Sequence, residues 1–200
     1  MAINFFNTPP PTRQPAKESG FTLVELMVVV AIIAVIGAIA IPNLSPANAR
    51  LKQASRDLYG NLQRMRTEAV KTNQDVGIVF DTANNQYILC QNADTNNTCS
   101  DLVGADGQTP ETIITTISLT SYGSTVQYGC GAATQSVTGG ACPGSGVSYG
   151  GSSVVFTPEG RVRTMGYVYL QNNRNSSYTV GTPSLAGVVK MRKWTNTSWE

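Results

Sequence analysis

Residues 17–42 read KESGFTLVELMVVVAIIAVIGAIAIP, an apolar run with one acidic residue, Glu25, close to its start. From Phe21 to Ile41 every residue is apolar or glycine apart from Thr22 and Glu25. At about 1.5 Å per residue a helix of this length spans roughly 30 Å, the thickness of a bilayer's hydrocarbon core. A carboxylate in lipid costs at least a few kcal/mol, so something must compensate Glu25. The rest of the chain, from Asn43 on, is polar and rich in Gly, Ser, Thr and Asn, and it is long enough for one small core. The sequence predicts one membrane anchor and one soluble domain.

Charge and cysteines bound the compartment. The formal charge of +2 is small, but its distribution is uneven. No Lys or Arg lies between Thr72 and Val155, whereas Asp75, Asp81, Asp94, Asp101, Asp106 and Glu111 do. Positive charge gathers before that stretch and after it, an asymmetry that can guide assembly or make a basic patch. The cysteines stand at 90, 99, 130 and 142, and there is no histidine. Zinc sites place paired ligands two to four residues apart, so these wider gaps read as disulfides. Four cysteines allow three connectivities; nearest-neighbour pairing, Cys90–Cys99 and Cys130–Cys142, is the expected one. Disulfides imply an oxidising compartment such as a periplasm.

The apolar run is too long for a secretory h-region, and no small-residue cleavage site follows it. The small residue, Gly20, precedes it, and Arg13 and Lys17 favour keeping the leader on the cytoplasmic side. The stretch Lys17-Glu18-Ser19-Gly20-Phe21-Thr22-Leu23-Val24-Glu25-Leu26 resembles the class III signal of type IV pilins and type II secretion pseudopilins. That resemblance implies cleavage between Gly20 and Phe21 by a prepilin peptidase, which also N-methylates Phe21. It further implies assembly roles for Phe21, Glu25 and Pro42. Cleavage would create an amine one turn from Glu25, so Glu25 of one subunit can meet the amine of its neighbour. Buried charges that are costly alone then offset each other only in correct register.

After Pro42, Leu44, Ala47, Leu51, Ala54, Leu58, Leu62, Met65 and Ala69 recur at spacings of three and four, one helical stripe. The prediction is a helix from Phe21 to near Thr72, with Pro42 kinking or locally melting it. From Asp75 the period becomes two. Val76, Ile78 and Phe80, then Tyr87 and Leu89 after Asn84-Asn85, suggest a hairpin. Further strands are expected at 113–119, 126–128, 154–156, 162–170, 178–180 and 188–194. The fold class is α+β: a long N-terminal helix packed on a C-terminal antiparallel β-sheet head. The expected domains are a leader at 1–20, a transmembrane and assembly helix at 21–41, an amphipathic helix at 42–73 and a β-rich periplasmic head at 74–200.

The segment Val154-Val155-Phe156-Thr157-Pro158-Glu159-Gly160-Arg161-Val162-Arg163 is similar to the F-x-P-x-G segment of the GspH/FimT domain. That family includes minor pseudopilins, FimU-like minor pilins and FimT-like DNA-binding minor pilins. A DNA reading would rest on Arg161 and Arg163, at i and i+2 on one strand, with Lys190, Arg192 and Lys193. In FimT-like receptors a Gly-Arg-x-Arg stretch lies near the chain's end; here it lies in the upstream strand. Without histidine there is no His-based triad or metal site, and no phosphate-binding glycine motif precedes a helix. Asp94, Asp101 and Asp106 lack the EF-hand pattern. No catalytic residue, metal or cofactor is expected.

The resemblance implies a minor pilin or pseudopilin that assembles through its N-terminal helix, in the tip or initiation complex of a pilus or pseudopilus. Its partners would be other pilins or pseudopilins, the prepilin peptidase, the assembly platform and inner-membrane lipid. It would sit as a single-pass protein of the bacterial inner membrane, head in the periplasm, before entering the filament. The alternatives are a DNA-binding minor pilin for transformation and a bitopic adhesin or sensor that never polymerises.

Overall fold

The computed structural model describes residues 21–40, 46–93, 99 and 111–200. The chain divides into two compact units, Met1–Leu44 and Ser45–Glu200. The leader, Pro42 and the cluster Asp94, Asp101 and Asp106 lie outside the described residues.

The first unit holds helix α1, Leu23–Ala40. Thr22 starts it: its hydroxyl accepts from the Glu25 N–H at 3.2 Å, and its carbonyl accepts from the Leu26 N–H at 3.2 Å. Thr22-Leu23-Val24-Glu25 is the Thr-x-x-Glu spacing that marks helix N-termini. The apolar side chains are exposed on every side, from Phe21 at 85% to Val29 at 48%. Among the described residues no helix is long and apolar enough to cross a membrane. The 18 residues of α1 rise about 27 Å.

The second unit opens with α2, Pro46–Thr72. The single helix predicted over 21–72 is thus described as two. Proline suits the first turn of α2, where an N–H has no intrahelical partner anyway. The buried stripe is Leu51, Ala54, Ser55, Leu58, Leu62, Met65 and Ala69. Ser55, absent from the apolar pattern, is tolerated there because its hydroxyl donates to the Leu51 carbonyl at 2.8 Å.

Among the described residues eight antiparallel strands follow: β1 (Val76–Asp81), β2 (Gln86–Gln91), β3 (Thr112–Ser118), β4 (Gln127–Tyr128), β5 (Ser153–Phe156), β6 (Gly166–Gln171), β7 (Ser177–Thr182) and β8 (Lys190–Lys193). They form two four-stranded sheets, β3-β2-β1-β5 and β4-β6-β7-β8, where the sequence reading had one. The β1–β2 hairpin pairs Asp81 with Gln86, and Asn85 closes its turn at φ +53°. The strand expected over 162–170 is broken. Val162 makes an isolated bridge to Phe156 of the first sheet, and β6 of the second sheet starts only at Gly166.

Strand alternation explains how both sheets use α2. Val76, Ile78 and Phe80 of β1, Val168 and Leu170 of β6 and Val180 of β7 bury with the α2 stripe in one core. The opposite parity faces outward. On the first sheet Val79, Cys90 and Val155 are covered by Ala93 and Cys99. On the second, Tyr167, Tyr169, Trp194 and Trp199 are covered by Cys130, Ala133, Val137 and Cys142. The cysteines pair as Cys90–Cys99 and Cys130–Cys142; Cys99 lies against the outer face of the first sheet, and the loop from Cys130 to Cys142 lies over the outer face of the second.

Candidate assembly helix and basic edge

Of the residues the sequence singles out for processing and assembly, Phe21 and Glu25 are described, and both sit at the open start of α1. Phe21 is 85% exposed and one helical turn from Glu25. Glu25 lies in the first turn, where an acidic side chain faces the positive end of the helix dipole. The carboxylate therefore has two reasons for its place: it suits the helix terminus, and it lies within one turn of the Phe21 nitrogen.

In the head, the segment that resembles F-x-P-x-G is a structural device. Phe156 is fully buried, and Thr157-Pro158-Glu159-Gly160 is a turn closed by the Gly160 N–H to the Thr157 carbonyl at 2.8 Å. Proline at the second position fixes the turn, and glycine permits φ +72° at the fourth. Arg66 of α2 binds this turn: its Nε donates to the Gly160 carbonyl at 2.9 Å and its Nη2 to the Ala186 carbonyl at 3.2 Å. Gly187, at φ +71°, passes so close that a side chain there would run into that Gly160 oxygen. One arginine thus ties α2 to the loops that precede β6 and β8.

The two arginines of the DNA reading flank the bridge residue Val162, which is buried while both of them are exposed, but their side chains are engaged differently. Arg163 is committed: its Nε donates to Asp75 Oδ2 at 3.1 Å and its Nη2 to the same oxygen, and Asp75 is only 8% exposed. Its N–H donates to Val155 of β5 at 3.0 Å. Arg161 stays exposed beside Glu159. The neighbouring Thr157 hydroxyl first, and then the charges of Arg161 and Arg163, hold the Glu159 carboxyl below its ordinary range. Lys190, Arg192 and Lys193 lie on β8, the edge of the other sheet. Arg192 reaches the neighbourhood of Tyr167, whose phenol is pushed up by burial while the arginine charge acts the other way. Among the described residues no cluster of His, Cys, Asp or Glu is arranged to hold a metal.

A long N-terminal helix followed by an antiparallel β head built on a second helix is the pilin fold. Residues 15–41 match the prokaryotic N-terminal methylation motif, and residues 54–183 match type II transport protein GspH. The second match takes in well over half of the chain, and the protein belongs to the GspH family. Over 71 residues it is 41% identical to the pilin-like protein PilA1 of Thermus thermophilus, covering 35% of this chain. That is 46% of PilA1, so the chain spans about half the length of the curated relative it matches. Among solved structures, the minor pseudopilin EpsH from the type 2 secretion system of Vibrio cholerae is 14% identical, with TM-score 0.42 over 72% of this chain and 97% of that one. The type IV minor pilin FimU of Pseudomonas aeruginosa is 14% identical, with TM-score 0.45 over 76% and 94%.

Proposed function

We propose that this protein is a minor pilin or pseudopilin, a structural subunit that assembles through its N-terminal helix into a pilus or secretion pseudopilus, in its tip or initiation complex. The observation that carries this reading is α1, apolar on every side and bearing one carboxylate, Glu25, in its first turn. Such a surface is unfavourable in water and satisfied by lipid or by other helices of the same kind. The methylation-motif match over 15–41 supports the rest of the sequence of events. The chain is made as a prepilin in the bacterial inner membrane with its head in the periplasm. Prepilin peptidase cuts after Gly20 and methylates Phe21, and the assembly platform draws the mature helix from lipid into a bundle with other pilins. There the Phe21 amine and a neighbour's Glu25 neutralise one another, and correct axial register is rewarded because an unpaired charge among apolar helices is costly.

The test is co-expression of the full chain with a prepilin peptidase, followed by mass analysis of its N-terminus. The expected product starts at N-methylated Phe21. A protein still starting at Met1 sinks this reading and favours the bitopic adhesin or sensor.

A further inference from the structure

A sheet can still accept a partner along an unpaired edge, and β8 is such an edge. Trp194 N–H donates to the Ser177 carbonyl at 3.1 Å, so the backbone groups of 190, 192 and 194 face β7, and those of 189, 191 and 193 face away. Lys193 already uses its outward pair, donating to the Glu200 carbonyl at 2.7 Å and accepting from its N–H at 2.9 Å. Among the described residues, the outward N–H and C=O of Met191 have no backbone partner.

The side chains around this edge alternate in character. Lys190 pairs with Gly181, which pairs with Tyr167, so Lys190 and Arg192 rise on the outer face with Tyr167 and Tyr169. Val189 and Met191 turn inward toward the core. Beside the edge runs a groove. A recess of about 320 Å³ holds Tyr59 and Val189, and an adjoining one shares both of these. That second recess shares Arg66 and Thr67 with a third, which ends at Lys71. From Tyr59 to Lys71 along α2 is about 18 Å, the length of five or six extended residues. Cations dominate its β8 end: Lys190, Arg192 and Lys193, with Arg56 near Tyr178, the residue that pairs with Lys193. Of the carboxylates nearby, Glu200 lies beside Lys193 with its side chain held by Thr195 and Ser198, Glu68 is paired with Lys71 at 3.7 Å and Glu159 lies at the far end.

We propose that the β8 edge takes up an extended strand from a partner chain, with carboxylates at every second position and apolar residues between them. The partner's backbone bonds to Met191, continuing the row that Glu200 begins at Lys193. Its carboxylates stand across from Lys190 and Arg192 on the outer face, and its apolar residues enter the groove against Tyr59 and Val189. A neutral strand would gain the backbone bonds but leave the cations unmatched. The site is built by the head alone and stands whether or not the chain polymerises.

The experiment uses the full chain in detergent micelles and a short fluorescein-labelled peptide of alternating glutamate and valine. Anisotropy should report binding that weakens at least about tenfold when glutamine replaces glutamate, or when the protein carries Lys190→Glu with Arg192→Glu. Hydrogen exchange at the Met191 amide should slow on binding to the unsubstituted protein. Equal binding of the glutamine peptide, or no slowing at Met191, overturns the proposal. So does displacement of the peptide by duplex DNA at matching affinity, which would make the edge a general polyanion surface.

Discussion

Glu25 and Arg66 use charge in different ways, and their substitutions should fail differently. Glu25 sits in an exposed turn of α1, in the first unit, so Glu25→Ala should leave the fold of the head and the proposed processing after Gly20 unchanged. Entry into filaments should fall sharply, because an unmatched Phe21 amine would then be buried among apolar helices. Immunoblotting of sheared filaments against whole cells reads this directly, and normal incorporation would leave the glutamate unexplained. Arg66 acts within the subunit. Arg66→Met keeps the apolar stem but drops the hydrogen bonds to Gly160 and Ala186, which should cost roughly 2 kcal/mol in denaturant unfolding. Single residues were unevenly legible. The Thr22-x-x-Glu25 start of α1 was missed, although that spacing is a helix-start signature in its own right. The commitment of Arg163 to Asp75 was not legible at all, because the partners stand 88 positions apart and only the fold brings them together.

Elements were legible where one periodicity governed them. The α2 stripe from Leu51 to Ala69 needs only the helical repeat, and Ser55 escaped it because its hydroxyl is satisfied inside the helix. The strand expected over 162–170 kept a period of two while changing partner sheet. Val162 buries against Phe156 of the first sheet, and Val168 buries in the second, so alternation survives across a break in the ladder. A hydrophobic pattern reports burial and does not report which strand is alongside. The loops follow another logic. The Cys130–Cys142 loop covers Tyr169 and Trp199 on the outer face of the second sheet, and its cysteines stand 12 positions apart. Replacing both cysteines with serine should destabilise the head by about 3 kcal/mol in the chain-entropy model. It should also shift tryptophan emission to longer wavelength as Trp199 meets water. An unchanged denaturation midpoint would show that the loop is held by its packing alone.

For the molecule as a whole, buried phenols set an alkaline limit. Burial raises the hydroxyls of Tyr87, Tyr128 and Tyr149 above the ordinary value of 10.0. The folded head therefore keeps protons that the unfolded chain releases. Their contribution is complete below pH about 10 and is lost as pH climbs through that value toward the native ones. Unfolding free energy should be flat from neutral pH to mildly alkaline and then drop, with tyrosinate absorbance rising together with loss of structure. Tyrosinate appearing well before unfolding would contradict this. The α+β class and the order of helix then strands followed from periodicity, whereas the division into two sheets did not. No local pattern states that β5 closes one sheet and β6 belongs to the next. The disulfides have one more consequence, for a subunit under pull. Their cysteines lie 9 and 12 positions apart in the chain, with Cα atoms 5.6 and 6.4 Å apart. At about 3.4 Å per extended residue, the two bridges withhold about 60 Å of contour length from any force applied between Pro46 and Glu200. An oxidised head stretched to failure should extend by that much less than a reduced one, giving a tensed fibre a shorter tether.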